Sequence, residues 1–385
     1  MTSIDSFGLF NSRLRELIRV SQVRLHQVFC AFEEREPFLE AEFNRLALAL
    51  FALQFAHVDP YRQLCEARRI TPDKIDCWSD IPPVPATAFK EFDLSSLPVA
   101  ERTTVFHSSG TTAQRPSRHF HNAESLSIYE MSLLPWFKAH LLPDAEVCRF
   151  VILTPGPALA PRSSLVHMFD TSRRDLGSRD SLFSGRIDGT GAWTLDTDAT
   201  LEALRESMET EQPVALLGTA FLFVHLLDHL SARALRFALP AGSRVLETGG
   251  YKGRSRKLPR AELHALITRY LGVSPSHIVC EYGMSELSSQ AYDCVAGRHA
   301  PRFNASTLKP LFHFPPWARA RVVSPETGAE VTESDTGLIQ VCDLANVRSV
   351  MVVQTEDLAA RRGHGFELIG RVESAEPRGC SLMSR

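Results

Sequence analysis

Residues 244–286 read RVLETGGYKGRSRKLPRAELHALITRYLGVSPSHIVCEYGMSE. The short apolar run Arg244-Val-Leu-Glu247 stops at Thr248-Gly249-Gly250, which predicts a strand that ends in a turn. Beyond it, from about Arg260 to Leu271, Leu263, Leu266, Ile267 and Tyr270 fall on one side of a helix, and Gly272 just past them suits a left-handed cap. A second apolar run, Ile278 to Cys280, leads into Glu281-Tyr-Gly-Met-Ser-Glu286. The same rhythm occurs upstream, where Val151-Ile-Leu153 ends at Thr154-Pro-Gly156 and Ala215-Leu-Leu217 ends at Gly218. Strands alternating with helices predict an α/β fold, in which functional loops gather at the carboxyl ends of the strands.

On either side the patterns change. From residue 10 to 56 apolar positions recur at helical spacing, with Phe43, Leu46, Leu50 and Leu53 on one stripe, and Thr71-Pro72 suits the start of another short helix. Residues 81–85, Ile-Pro-Pro-Val-Pro, must be extended, since consecutive prolines remove donors and bias their predecessors away from helix. Residues 319–354 are β-rich, with runs at 321–323, 338–341 and 351–354 separated by polar or glycine-containing turns, and one more run follows at 366–369. The expected division is a helical N-terminal region (1–100), an α/β core (101–318), a β-rich subdomain (319–369) and a short C-terminal tail (370–385).

The chain has 385 residues, 44% of them hydrophobic, enough for a large buried core. Its 42 basic and 45 acidic side chains leave a net charge of −3, which gives no reason to expect general affinity for nucleic acid or anionic membrane. The first twenty residues lack the pattern of a signal peptide, and no apolar run nears the roughly 20 residues of a membrane helix. A cytoplasmic protein without an integral membrane segment is expected. Eight scattered cysteines form no Cys-x-x-Cys pair, and fourteen histidines form no His-Glu-x-x-His cluster, so no zinc or dithiol site is signalled.

The sharpest local motif is Val105-Phe-His-Ser108-Ser109-Gly110-Thr111-Thr112-Ala113. Four hydroxyl side chains around a glycine, directly after a strand-like run, can turn backbone and side-chain donors toward one phosphate. It is not a Walker A loop, because the Gly-Lys-Ser/Thr ending is absent. Such a loop taken alone is more often a surface turn; Arg115, Arg118 and His119 would add positive charge beside it.

Ser108-Ser-Gly-Thr-Thr112 resembles the phosphate loop of the adenylate-forming superfamily, and Tyr282-Gly283-Met-Ser-Glu286 resembles its second signature. Thr355-Glu-Asp357 and Gly370-Arg371 are similar to its ribose-binding aspartate and its hinge. Within the superfamily the chain looks most like the acyl-protein synthetases of the LuxE family. The segments that carry this are 81–90, 163–168, 247–253 (Glu-Thr-Gly-Gly-Tyr-Lys-Gly) and 378–382 (Arg-Gly-Cys-Ser-Leu).

The resemblance implies the large domain of an adenylate-forming enzyme, with ATP and Mg2+ as cofactors and a carboxylic acid, by default a fatty acid, as substrate. It assigns triphosphate binding to residues 108–112 and the metal to Glu286, whose oxygen donors suit a hard cation. It assigns the ribose to Asp357 with Arg371 as a further ribose or phosphate contact. Tyr282 would pack on adenine beside Gly283, and Gly249 and Gly250 would let backbone approach nucleotide or acyl group. His167 and Met168 are candidates for the acid's side of the site. Cys380 matches the family's acyl-accepting cysteine, from which the acyl group would pass to an acceptor protein, carrier protein or reductase partner. Without the resemblance, Glu286 reads as a helix-start carboxylate and Cys380 as a small buried side chain.

Departures from the superfamily pattern are Ala113, where glycine is frequent, Glu356, and the short stub after Arg371. The stub argues against a conventional two-domain CoA ligase and leaves Lys252, Arg115 or Arg118 to supply the adenylation charge. Two other readings remain: direct transfer from acyl-adenylate to CoA, a carrier thiol or an amine, and a nucleotide-binding scaffold without turnover.

Overall fold

The buried runs near residues 150, 216, 245 and 279 become neighbouring strands of one sheet. The structure, a computed structural model, describes residues 4–28, 37–108, 115–249, 256, 258–298 and 310–371, with the side chains of 23–28 excepted. Leu182–Phe183, Arg149–Ile152, Val214–Thr219, Arg244–Thr248 and Ile278–Tyr282 lie side by side in parallel, and Ala291–Tyr292 closes the far edge antiparallel. Every residue of Val214–Thr219, Arg244–Thr248 and Ile278–Tyr282 is buried. That is why these strands read as nearly continuous apolar runs instead of alternating, as parallel strands covered on both faces do.

The helix Arg260–Leu271 has the forecast bounds, with Leu263 and Ile267 fully buried. Gly272 adopts φ +74° and its N–H bonds to Thr268 O at 3.0 Å, the left-handed cap that the sequence called for. Thr71-Pro72 starts only a single 3-10 turn, Pro72–Lys74, and the threonine side chain makes no capping bond.

A second sheet is ordered Val84–Pro85, Val352–Arg362, Thr336–Asp343, Ala318–Val323, with Gly365–Arg371 folded back antiparallel on Val352–Arg362. The proline-rich segment is extended as expected, and its strand runs parallel to residues 353–354. The front helices Phe7–Val28 and Pro37–His57 pack through Phe43, Leu46 and Leu50, all with zero exposure. Gln54 then ties this region to the second sheet, donating from Nε2 to Asn346 O (2.8 Å) and accepting from Met351 N (3.0 Å). Thr104–His107 pairs antiparallel with Arg118–His121 in a two-stranded sheet, and Ser108 follows directly after the first of these strands. Among the described residues no helix is long and apolar enough to cross a membrane.

Candidate active site

The two sheets bring their motif residues together at one place. Tyr282 ends the strand Ile278–Tyr282 and donates its hydroxyl to Asp357 Oδ2 at 2.8 Å, while its ring stands edge-on to Phe312, Phe314 and Phe366. Asp357 lies in register with Arg371, whose Nε is 3.8 Å from Asp357 Oδ1 and whose guanidinium also meets Glu356 Oε2 at 2.5 Å. Thr355 positions this stretch. Its buried hydroxyl donates to Ile339 O (2.8 Å) and accepts from the amide of Asp357 (3.1 Å). The tyrosine is therefore held by its hydroxyl as well as by its ring, a contact that the sequence did not indicate.

Glu286 is almost completely buried and accepts from Ser285 Oγ at 3.1 Å. The turn that carries it is pinned from both sides. Asn346 Nδ2 donates to Glu286 O (2.8 Å), and Asp343 accepts from the amides of Ser288 and Ser289 and from the Ser289 hydroxyl at 2.7–2.9 Å. From the strand Arg118–His121, His119 Nδ1 reaches Ser285 O at 2.9 Å. Burial pushes the His119 imidazole down to about 4, with the bond to Ser285 and the Glu286 charge opposing, so the neutral ring donates Nδ1–H to the carbonyl. Among the described residues no lysine or arginine pairs with the Glu286 carboxylate. A buried carboxylate of that kind is the donor chemistry a magnesium ion takes, alongside oxygens supplied by ATP.

One level below, the ends of adjacent parallel strands are clipped together. Thr248 and Glu281 are register partners, and the Thr248 hydroxyl donates to the buried Glu281 carboxylate. Burial pushes that carboxyl up to about 7; the Thr248 bond pulls the other way and the neighbouring Glu247 pushes with it. A Cβ at Gly283 would meet the Glu281 carboxylate, so any side chain there would displace that group from its place beside Thr248. Gly249 has φ +70° with open space around it, so its requirement is conformational.

Ser108 forms the neck of the serine-threonine loop: its hydroxyl accepts from Ser117 N at 3.0 Å and its amide donates to Ser117 O at 3.3 Å. Ser109, Gly110, Thr111, Thr112, Gly250, Lys252 and Cys380 lie outside the described residues. Arg118 pairs with Asp93 at 2.9 Å, whereas Arg115 is exposed. His167, on the helix Ser164–Leu176, has its Nε2 3.3 Å from Oε1 of Glu130 on the helix Ala123–Leu141, and Met168 is buried. Sequence reading passed over Thr248, Glu281, Asp343 and Asn346. For Glu281 the signal was a carboxylate at the end of an apolar run, two positions before Gly283; for Asp343 and Asn346 nothing local marks them.

A family model described as acyl-protein synthetase, LuxE, matches residues 28–385. A long-chain-fatty-acid–luciferin-component ligase of Vibrio harveyi is 22% identical over 348 residues, covering 88% of this chain and 86% of the relative. The ligase of the same name from Aliivibrio fischeri is 19% identical over 363 residues, covering 91% and 89%. Among solved structures, an open conformation of 2-hydroxyisobutyryl-CoA ligase with 2-HIB-AMP and CoA superposes with a TM-score of 0.61 at 14% identity, over 87% of this chain and 76% of that one. The fold is that of the adenylate-forming ligases.

Proposed function

Because this chain belongs to the acyl-protein synthetase (LuxE) family of ATP-dependent ligases, we propose that it converts a fatty acid to acyl-AMP and then carries the acyl group on Cys380. A carboxylate is a poor acyl donor because its leaving oxygen is too basic. In the first step a carboxylate oxygen attacks the α-phosphorus of ATP, the bond to the β-phosphate oxygen breaks, and pyrophosphate leaves. In the second, the Cys380 thiolate attacks the acyl carbon, the bond to the phosphate oxygen breaks, and AMP leaves with the electron pair. The thioester then passes to an acceptor or reductase partner.

The single observation that carries this reading is the junction of Tyr282, Asp357 and Arg371 across two sheets, beside the pinned Glu286 turn. Asp357 offers the carboxylate that two ribose hydroxyls require, and Arg371 beside it adds a cation facing the same nucleotide. Residues 108–112 would cradle the triphosphate, with Ser108 and Ser117 fixing the loop's neck. Glu286 would hold magnesium, which when bound supplies charge neutralisation at the phosphates. The curated relatives are named for ligation of long-chain fatty acids, which supports the choice of acid.

Incubation with ATP, magnesium and an acid panel tests both steps. We expect acid-dependent exchange of pyrophosphate into ATP, and by intact mass a hydroxylamine-labile acyl adduct that Cys380→Ser abolishes. Exchange without an adduct would remove the covalent step, and no exchange with any acid would remove the activation.

A further inference from the structure

Strand alternation sends Phe106, His119 and His121 to one face of the two-stranded sheet, and that face is the buried one. There they meet Tyr129 of the helix Ala123–Leu141 and His167 of the helix Ser164–Leu176. His121 lies at the centre, with ring centroids 4.2 Å from His119, 5.1 Å from Phe106 and 6.2 Å from Tyr129. Phe106 and Tyr129 each reach the His167 ring as well, at 5.3 and 5.5 Å. Three imidazoles from two separate points of the chain, the strand Arg118–His121 and the helix Ser164–Leu176, thus share one aromatic cluster, and His119 ties it directly to the Glu286 turn.

His121 is only 2% exposed, and its Nε2 has no hydrogen-bond partner among the described residues. Its other nitrogen, Nδ1, lies 3.3 Å from Ser125 Oγ. That hydroxyl accepts the amide of Asn122 in the capping box that starts the helix, and its own proton has two acceptors at 3.3 Å, Asn122 O and His121 Nδ1. When that proton goes to Nδ1, the proton of the neutral ring sits on Nε2. Burial holds the ring neutral, and His119 and His167 beside it reinforce this. The charged groups around the cluster are Glu286 on the side of His119 and Glu130 on the side of His167. Neither occupies Nε2. A fully buried N–H donor is rarely kept without an acceptor.

We propose that this cluster receives the carboxyl head of the acid substrate, with His121 Nε2–H as the donor that orients a carboxylate oxygen and with Phe106 and Tyr129 flanking the start of its aliphatic chain. The proposal rests on the acid-activation reading above and names the residue that positions the acid within it. Ser125 acts through His121, fixing the tautomer, and is a positioning residue. A neutral donor suits the task because it orients the carboxylate without forming an ion pair that would quench the attacking oxygen.

The test uses the full chain and two variants: His121→Phe, which keeps the bulk and removes the donor, and His121→Gln, which returns an N–H near the Nε2 position. Pyrophosphate exchange gives KM for acid and for ATP, and dodecanoate labelled with 13C at its carboxyl carbon reports binding by NMR without ATP. We expect His121→Phe to raise the acid KM about 10- to 100-fold, the effect of losing one hydrogen bond to a charged group. The ATP KM should stay within about twofold, and His121→Gln should recover most of the loss. The bound 13C shift should be lost in the phenylalanine variant and regained in the glutamine one. An unchanged acid KM in His121→Phe, equal rises in both KM values, or a bound shift indifferent to the variants would overturn the assignment and leave Nε2 to an ordered water. If no acid supports exchange but the labelled carboxyl still binds wild type and not His121→Phe, the activation reading fails and the carboxylate site stands.

Discussion

Glu281→Gln isolates the cost of ionising a carboxyl clipped between two strand ends. In the folded protein burial pushes Glu281 up to about 7, against an ordinary value of 4.5. The folded state therefore keeps a proton between those values that the unfolded chain has already released. Stability from this group is full below pH 4.5 and is lost as pH rises to about 7. From pH 5 upward about 2 units of the gap remain, which at about 1.36 kcal/mol per unit is about 3 kcal/mol. Glutamine has nothing to ionise, and its amide oxygen still accepts the Thr248 hydroxyl. Relative to wild type, the variant should thus gain about 3 kcal/mol between pH 5 and pH 8. Glu247 is held below its ordinary value, chiefly by the bond to His264 working against burial, and titrates under this window. His119 and His121 are the same in both proteins and cancel in the difference. Urea unfolding followed by tryptophan fluorescence at pH 5, 6, 7 and 8 gives the comparison. A difference between the two proteins that stays flat to within about 0.5 kcal/mol across that range would refute the reasoning.

Tyr282→Phe removes the donor to Asp357 and should lower stability by about 1 kcal/mol, with a raised Kd for ATP measured by calorimetry. Asp343→Asn faces an amide against some of the four donors that Asp343 now accepts; it should cost about 3 kcal/mol in urea unfolding and weaken the magnesium dependence of ATP binding by loosening the Glu286 turn. Gly272→Ala forces a side chain into φ +74° with its Cβ 3.1 Å from Ala238 Cα; it should cost about 1–2 kcal/mol and leave ATP binding unchanged, since the cap lies away from the site.

What the chain reveals locally follows from what its residues do locally. The helix Arg260–Leu271 and its Gly272 cap, the buried strands around 216, 245 and 279, and the extended prolines were all legible, because periodicity, backbone freedom and donor loss act within a few residues. The motif order also pointed to adenylate chemistry. The tertiary structure alone decided that Tyr282 would meet Asp357 through its hydroxyl, since that contact depends on where the ends of two sheets converge. The same holds for His119, His121 and His167, which no sequence pattern groups. Strand alternation puts the first two on one face, but only the packing of that two-stranded sheet against two helices brings the third to them. Burial then sets the protonation of His119, His121 and Glu281, because the desolvation that moves a titratable group depends chiefly on what the tertiary fold packs around it.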